Sequence, residues 1–269
     1  MLGDDEFAAW FRLLETPGIG RDAARRLLAA CGSPAAVFTT PAATLRTLVG
    51  PAAATALQQE PAALATRLAA ARQWLRGGPD RSVLALGDAA YPPRLLQTAD
   101  PPLLLYVQGD AARLAAPSIA VVGSRHPTPQ GADNARAFAQ ALSAQGYVVV
   151  SGLAEGIDGA AHEGALGAAA GGAGGAGTVA VVGTGLDRVF PPKHRELAHR
   201  IAAQGALVSE FAPGTPALPE HFPQRNRIIA GLSLGTLVVE AALRSGSLIT
   251  ARLATEAGRE VFAIPGSIH

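Results

Sequence analysis

The chain has 269 residues, 49% of them hydrophobic but only 5% aromatic, which is enough for one large domain or two unequal ones with a core of aliphatic side chains. Its formal net charge of +1 excludes a generally basic protein that coats nucleic acid through bulk charge, so any nucleic-acid site has to be a local patch. The single cysteine, the acidic N-terminus and the lack of any apolar run near the ~20 residues of a membrane span exclude a disulfide framework and predict a cytoplasmic protein without a membrane segment.

The first part of the chain has the pattern of short helices. From Phe7 to about Arg76, apolar residues recur at helical spacing, for example at Leu64 and Leu68. Glycine and proline interrupt this pattern at residues 17–20, 31–34, 50–51 and 60–61, and the Gly-Gly-Pro-Asp segment at 77–80 is typical of a linker. We therefore predict a small all-helical domain over residues 1–78 and a second domain over residues 79–269.

After the linker, short apolar strands alternate with amphipathic helices. The predicted strands are Val83–Leu86, Leu103–Val107, Ser118–Val122, Tyr147–Ser151, Val179–Val182, Ala206–Ser209, Thr236–Glu240 and Val261–Ile264. The predicted helices are Gly131–Gln145, Ile157–Leu166, Lys193–Gln204, Asn226–Gly231 and Ser247–Ala257, and the low-complexity segment 168–177 is predicted as a loop. This alternation predicts a doubly wound, Rossmann-like, mostly parallel sheet that is covered on both faces.

The loops that follow the predicted strands carry most of the chemistry. In such a sheet, ligands bind beyond the carboxyl ends of the strands. These loops are rich in glycine, hydroxyl and basic residues, namely Gly123, Ser124, Arg125, Ser151, Gly152, Lys193, Arg244, Ser245, Gly246 and Ser247. Backbone amides, hydroxyls and cations at that edge favour an oxyanion, so we predict a phosphate-binding site. Lys193 is the only lysine of the chain, which adds minor support.

The segment Arg225-Asn226-Arg227 stands at the predicted start of a helix. An arginine fork matches a phosphate, and a helix start offers free backbone N–H groups. A helix cap with surface arginines explains the segment alone equally well. Considered with the other loops, Arg125 and Lys193 are predicted as the outer clamps, and the segment as the floor and inner wall of the pocket. At most one of its arginines would reach the ligand, with Glu210 and Glu240 holding the other.

The acidic residues near these loops have two interpretations. Asp158 and His162 are four positions apart on one helix, where they would form an acid–base or metal-binding pair or, as we favour, a pair that steadies the helix. Glu155, Glu210 and Glu240 would serve as general bases or would orient arginines and loop amides. No nucleophile, base and orienting group lie close together in the sequence.

Two nucleotide-binding motifs are incomplete or missing. Gly183-Thr184-Gly185 resembles the start of a dinucleotide fingerprint, but Arg188 stands where the third glycine belongs. The chain has no GxxxxGK[ST] phosphate loop. The sequence therefore favours neither NAD binding nor ordinary ATP hydrolysis, and we predict no cofactor and no metal site.

Five motifs together resemble the DNA-processing protein A family (DprA, also called Smf). They are Val-Gly-Ser-Arg at 122–125, Ser-Gly-Leu-Ala-Glu-Gly-Ile-Asp at 151–158, Phe-Pro-Gln-Arg-Asn-Arg-Ile-Ile-Ala-Gly-Leu-Ser at 222–233, Ser-Gly-Ser-Leu-Ile-Thr-Ala at 245–251 and Phe-Ala-Ile-Pro-Gly at 262–266. The resemblance implies an extended Rossmann domain that binds single-stranded DNA without catalysis. It also implies a homodimer that loads a RecA-type recombinase onto incoming strands during natural transformation.

The resemblance carries particular roles onto this chain. It implies that Arg125 contacts phosphate. It also implies that Lys193 is the family's basic residue after a Tyr-Pro motif, which in this chain has phenylalanine in place of tyrosine, as Phe190-Pro-Pro-Lys-His. Segment 16–21 resembles a helix-hairpin-helix or sterile-alpha-motif-like module, whose turn would either contact a DNA phosphate or be purely structural. Family members usually continue beyond the position of His269.

Two other classes of function stay open at this point. A nucleotide phosphoribohydrolase of similar fold would use Glu155, Asp158 or Glu240 as catalytic residues. A scaffold would self-associate through an apolar surface. Under the DNA-binding hypothesis, bases would stack on Phe190 or Phe222, although we expect Phe222 to belong to the core.

Overall fold

The N-terminal part of the chain is helical up to Arg76. The computed structural model describes residues 2–170, 175–243 and 245–266, so Arg244 and part of the low-complexity segment (171–174) lie outside the described residues. The helices before the first strand are α1 Asp4–Glu15, α2 Arg21–Cys31, α3 Pro34–Thr39, α4 Ala42–Val49, α5 Pro51–Leu57 and α6 Leu64–Arg76. Four of the five breaks between them lie at the predicted glycine and proline positions, whereas the break at Thr40-Pro41 was not predicted. We call these helices the N-terminal helices.

The described strands form one sheet. They are β1 Arg81–Ala85, β2 Leu104–Gly109, β3 Ser118–Val122, β4 Val148–Ser151, β5 Thr178–Val181, β6 Ala206–Ser209, β7 Gly235–Val238 and β8 Glu260–Ala263. Their order in the sheet is β1-β2-β6-β5-β4-β3-β7-β8. The strands from β6 to β8 in this order are parallel, whereas β1 and β2 pair antiparallel at one edge. The predicted doubly wound, mostly parallel sheet is therefore confirmed.

The helices of the sheet domain differ from the prediction in four places, the first of which is α7, a helix that was not predicted. They are α7 Pro93–Leu96, α8 Pro129–Ala144, α9 Ile157–Ala170, α10 Arg195–Gln204, α11 His221–Leu232 and α12 Ser247–Glu256. Helix α11 begins five residues before the predicted Asn226, Lys193 lies in a 3₁₀ turn rather than in α10, and α9 continues into the segment predicted as a loop. None of the described helices is long and apolar enough to cross a membrane.

The central strands bury side chains on both faces of the sheet, as parallel strands between two helical layers must. Val121 and Val149 pack against α8 and α9 on one face. Val122 and Val150 point to the opposite face, where they join Ile228 of α11. Helix α11 is thus seated directly on the sheet.

The N-terminal helices share a hydrophobic core with the antiparallel edge of the sheet. The ring of Tyr106 on β2 lies 6.4 Å from Phe7 and 6.1 Å from Trp74, measured between ring centroids. All three rings are almost completely buried and belong to one cluster. The division into two domains at residue 78 stays a prediction, because this core crosses the proposed boundary.

A buried histidine links α9 to the sheet. The Nδ1 atom of His162 lies 2.7 Å from the hydroxyl of Thr178, which donates its own proton to the Val149 carbonyl at 2.6 Å. Nδ1 therefore carries the proton of a neutral imidazole. Burial, with smaller contributions from the charges of His194 and Arg225, lowers the pKa of His162 from 6.5 to about 3.

This pKa predicts that the protein loses stability in mild acid. Between about pH 6.5 and about pH 3, His162 is protonated in the unfolded chain but stays neutral in the folded protein. The free energy of unfolding therefore falls as the pH is lowered through this window. The loss is about 1.4 kcal/mol per pH unit. Urea unfolding of wild type, His162→Gln and the exposed control His199→Gln at about pH 7 and about pH 5 tests this. Equal losses in all three proteins would contradict it.

Candidate functional site

A cavity of about 530 Å³ opens beyond the carboxyl ends of β3 and β7. The chain leaves β3 towards β4 on one side and returns to β7 on the other, so the cavity lies at the point where the strand order reverses, the usual ligand site of such sheets. Residues predicted from separate loops meet in its lining. They are Gly123, Ser124, Arg125, Asp158, Arg225, Asn226, Ser245, Gly246 and Ser247.

The loops around this cavity are bonded to each other. The Ser124 amide donates to the Glu240 carbonyl at 2.7 Å, and the Ile157 amide donates to the Ser124 carbonyl at 3.0 Å. The Glu240 carboxylate accepts the Thr128 hydroxyl proton at 2.7 Å, while that hydroxyl accepts the Gly131 amide of α8 at 3.0 Å. Glu240 therefore supports the start of α8 and does not hold Arg225 or Arg227, which corrects the sequence-based expectation.

Arg225 forms the charged floor of the cavity. Its side chain is buried, and Nη1 donates to the Val181 carbonyl at 2.5 Å. A Cβ atom at Gly152 would lie 1.8 Å from this Nη1, so the site requires glycine there. Burial lowers the pKa of Arg225 to about 10, with Asp158 opposing the change, and the guanidinium therefore stays charged at neutral pH.

Asp158 shapes the loop between β4 and α9. Its Oδ2 accepts the amides of Gly152 at 3.1 Å and Ala154 at 3.3 Å. Burial raises the pKa of Asp158, whereas Arg225 and these hydrogen bonds lower it. His162, one turn later, bonds to Thr178, so Asp158 and His162 form neither the predicted helix-steadying pair nor an acid–base pair. No cluster of metal-ligating side chains occurs among the described residues.

Helix α11 places its two arginines on opposite sides. Because α11 begins at His221, segment 225–227 lies inside the helix and its amides are not the free ones that the sequence predicted. Residues two positions apart project roughly 200° apart around the axis, so Arg225 faces the cavity and Arg227 faces away. Asn226 bonds to the Gly246 carbonyl at 3.4 Å, which ties α11 to the loop before α12.

Arg227 lies outside the cavity lining. Its Nη1 donates to the Asp100 carbonyl at 2.6 Å, and its Nη2 donates to the Glu210 carboxylate. Glu210 thus holds the arginine that does not reach the cavity, as the sequence predicted. Burial raises the pKa of Glu210, and Arg227 opposes that effect. Ser151 is also set apart from the cavity, because it is buried and its hydroxyl donates to the Val121 carbonyl at 2.6 Å.

A second cavity of about 210 Å³ extends the first one. Arg125, Phe222 and Arg225 line both, so the two form one groove. The Arg125 guanidinium lies 5.9 Å from the centre of the Phe222 ring. The exposed Phe190 ring packs against the same Phe222 ring, with 5.5 Å between the two ring centroids. Phe222 is half-buried and lines the groove, so its assignment to the core was wrong.

Lys193 lines neither cavity, but it stands beside the groove, at what we call its rim, in an ion pair with Glu155, which lines the second cavity. Its Nζ lies 2.7 Å from Glu155 Oε2, and its side chain is 56% exposed. The hydrogen bond from Lys193 lowers the pKa of Glu155, and the nearby His126 and His194 lower it further when charged. Lys193, His126 and His194 therefore surround one carboxylate at the mouth of the groove.

Some lining residues were not assigned from the sequence. His126 lies beside Phe190 in the second cavity, whereas Pro219 and Thr250 line the first. His126 directly follows Arg125, and Thr250 belongs to the motif at 245–251, so position in a motif was the available signal for both. Pro219 had no such signal.

Comparison with known proteins supports a common family. The model of the DNA recombination-mediator protein A family matches residues 82–269. Protein Smf of Escherichia coli is 48% identical over 196 residues, which cover 72% of this chain and 50% of that protein. The DNA processing protein DprA of Streptococcus pneumoniae is 48% identical over 181 residues, covering 67% of this chain and 62% of that protein. The chain thus spans about half to two thirds of the length of these curated relatives.

Two solved structures are similar along most of the chain. The DprA structure from Streptococcus pneumoniae has a TM-score of 0.79 at 35% identity and covers 99% of this chain and 88% of its own. A DNA processing protein A from Helicobacter pylori, described for its single-stranded DNA binding mode, has a TM-score of 0.62 at 30% identity. It covers 70% of this chain and 82% of its own.

Proposed function

The chain belongs to the DNA recombination-mediator protein A family, and from that premise we propose that it binds single-stranded DNA in the groove lined by Arg125 and Arg225. The observation that carries this proposal is the joint lining of one groove by an exposed arginine, a buried charged arginine and aromatic rings. Charged groups hold phosphates, and rings stack on bases whatever their identity.

The groove offers contacts of graded depth to a DNA backbone. Arg125 at the surface and Lys193 at the rim would meet phosphates first, and Arg225 would attract one from below. Ser124, Ser245 and Ser247 would add hydroxyl and amide donors, with Gly123 and Gly246 permitting close approach of the backbone. Because these contacts go to phosphate and sugar, we expect binding that is independent of base sequence.

Phe190 supplies a platform for a base. Its ring is 45% exposed beside the second cavity and packs against Phe222, which fixes its orientation. A base stacked on such a ring contributes about 1–3 kcal/mol. Single strands, whose bases are free to unstack, can use this platform, whereas paired bases inside a duplex cannot.

We propose binding without catalysis, because the acids that a phosphoribohydrolase would need are already engaged. Glu155 pairs with Lys193, Asp158 accepts two loop amides, and Glu240 holds the start of α8. Purified protein incubated with a panel of nucleoside monophosphates tests this directly. Release of free base would favour the enzyme.

We further propose that the protein acts as a homodimer and delivers the bound strand to a RecA-type recombinase in natural transformation. The exposed apolar side chains Phe262, Val261 and Leu234 on and near the edge strand β8 support self-association. Measurement of molecular size with and without DNA distinguishes two cases. A dimer that binds DNA increases in size when DNA is added, whereas the size of a self-associating scaffold does not depend on DNA.

The first prediction concerns the outer cations. Arg125→Ala combined with Lys193→Ala should weaken binding to oligo-dT strongly, because two phosphate contacts are lost. The plot of log affinity against log salt should become shallower by about 0.7 for each contact. Fluorescence anisotropy across a salt series measures both quantities.

The matched control removes two positive charges elsewhere. Arg46 and Arg200 are exposed and do not line the groove, so Arg46→Ala with Arg200→Ala should leave the salt dependence almost unchanged. An unchanged affinity and slope in folded Arg125→Ala/Lys193→Ala protein would refute the proposed site.

The second prediction concerns Glu155. This carboxylate competes with phosphate for Lys193, so Glu155→Gln, which keeps the side-chain shape but loses the charge, should tighten binding to oligo-dT severalfold. Glu163→Gln is the control, because Glu163 pairs with the exposed Arg136 on α8. Weaker binding by Glu155→Gln would show that this carboxylate supports the site rather than competing with DNA.

A further inference from the structure

Asp100 joins the N-terminal helices to α11. It lies between α7 and β2, and its carboxylate accepts Arg21 Nε at 2.8 Å and also pairs with Arg25, both on α2. Arg227 of α11 approaches the same carboxylate, with Nε 3.2 Å from Oδ2. Arg21 and Arg25 of the N-terminal helices and Arg227 of α11 therefore share one carboxylate.

Glu210 closes this cluster beside β6. It pairs with Arg227 and lies 3.9 Å from Arg21 Nη1. The side chains of Arg227 and Glu210 are only 13% and 8% exposed. Burial raises the pKa of Asp100, but Arg227, Arg25 and Arg21 outweigh it and hold that pKa below its ordinary value. Asp100 is thus ionised, and its loss would leave the three arginines with one carboxylate, that of Glu210, in place of two.

Helix α11 connects this charged cluster to the groove. Arg227 is two residues from Arg225, and Phe222, Asn226 and Ile229 of the same helix also line the cavity. A packed helix moves as a stiff element, so a displacement of Arg227 on one side shifts Arg225 on the other. The side of α11 that faces away from the groove is held by charges to which the N-terminal helices contribute.

We propose that Asp100 is a positioning residue, through which the N-terminal helices raise the affinity of the groove for single-stranded DNA without touching the strand. The inference rests on the proposed function and adds a residue to it. Arg21 and Arg25 hold Asp100, Asp100 and Glu210 hold Arg227, and α11 then presents Arg225 and Phe222 to the ligand. Binding of DNA should in turn stabilise the contact of α2 with Asp100, because such coupling is reciprocal.

The test compares Asp100→Ala with Asp22→Ala in the full chain. Asp22 pairs with Arg26 on the exposed side of α2, so its loss removes an arginine partner from the same helix without reaching α11. We expect Asp100→Ala to weaken oligo-dT binding about tenfold, and Asp22→Ala to leave it unchanged. The salt dependence should stay that of wild type, because no phosphate contact is lost. Asp100→Glu, which keeps the charge, should restore much of the affinity.

Hydrogen exchange gives a readout that does not require the affinity. Amides of 221–232 should exchange faster in Asp100→Ala than in Asp22→Ala without DNA. Oligo-dT should slow exchange in α2 of wild type but not of Asp100→Ala. If Asp100→Ala does not fold, Arg25→Gln, which removes one arm of the cluster, takes its place with the same expected signs.

The outcomes separate the inference from the proposed function. Faster exchange in α11 with wild-type affinity for oligo-dT would overturn the inference and leave the proposed function standing. A shallower salt dependence in Asp100→Ala would also overturn it, because the cluster would then be contacting the strand. Failure of wild type to bind oligo-dT would overturn both.

Discussion

The burial of the Arg225 guanidinium against the Val181 carbonyl is the interaction on which the site depends. A charged group below the end of a sheet needs an acceptor, a nearby opposite charge and room. The carbonyl, Asp158 and the missing side chain of Gly152 supply these in turn. Together they seat α11, fix the β4–α9 loop and place a permanent positive charge under an open groove.

The groove explains how an almost neutral chain would bind the polyanionic strand that we propose as its ligand. A net charge of +1 gives no long-range attraction over the whole surface. Three cations instead lie together at one edge of the sheet, with Arg125 and Lys193 exposed and Arg225 buried. Glu155 pairs with the rim lysine, so the groove carries its own counter-charge.

The sheet and the identity of the site loops could be predicted because apolar strands and glycine-rich strand ends are local patterns. The start of α11 could not. Pro223 lies in the first turn of this helix, where proline costs no hydrogen bond, and Glu220 gives no side-chain cap to mark the boundary. Thr128, the partner of Glu240, and Asp100, the second partner of Arg227, lie more than a hundred residues away in the chain, which no local pattern reveals.

The strand order has a consequence for how the protein is made. During synthesis, β3, β4, β5 and β6 emerge before β7, whose place is beside β3. Until residues 235–238 leave the ribosome, β3 is an open edge that can pair wrongly, and Val122 and Ala120 lack part of their cover. The groove therefore comes into existence only after residues 235–238 have been translated, when β7 takes its place beside β3. Until then, a nascent chain cannot bind the proposed ligand at this site.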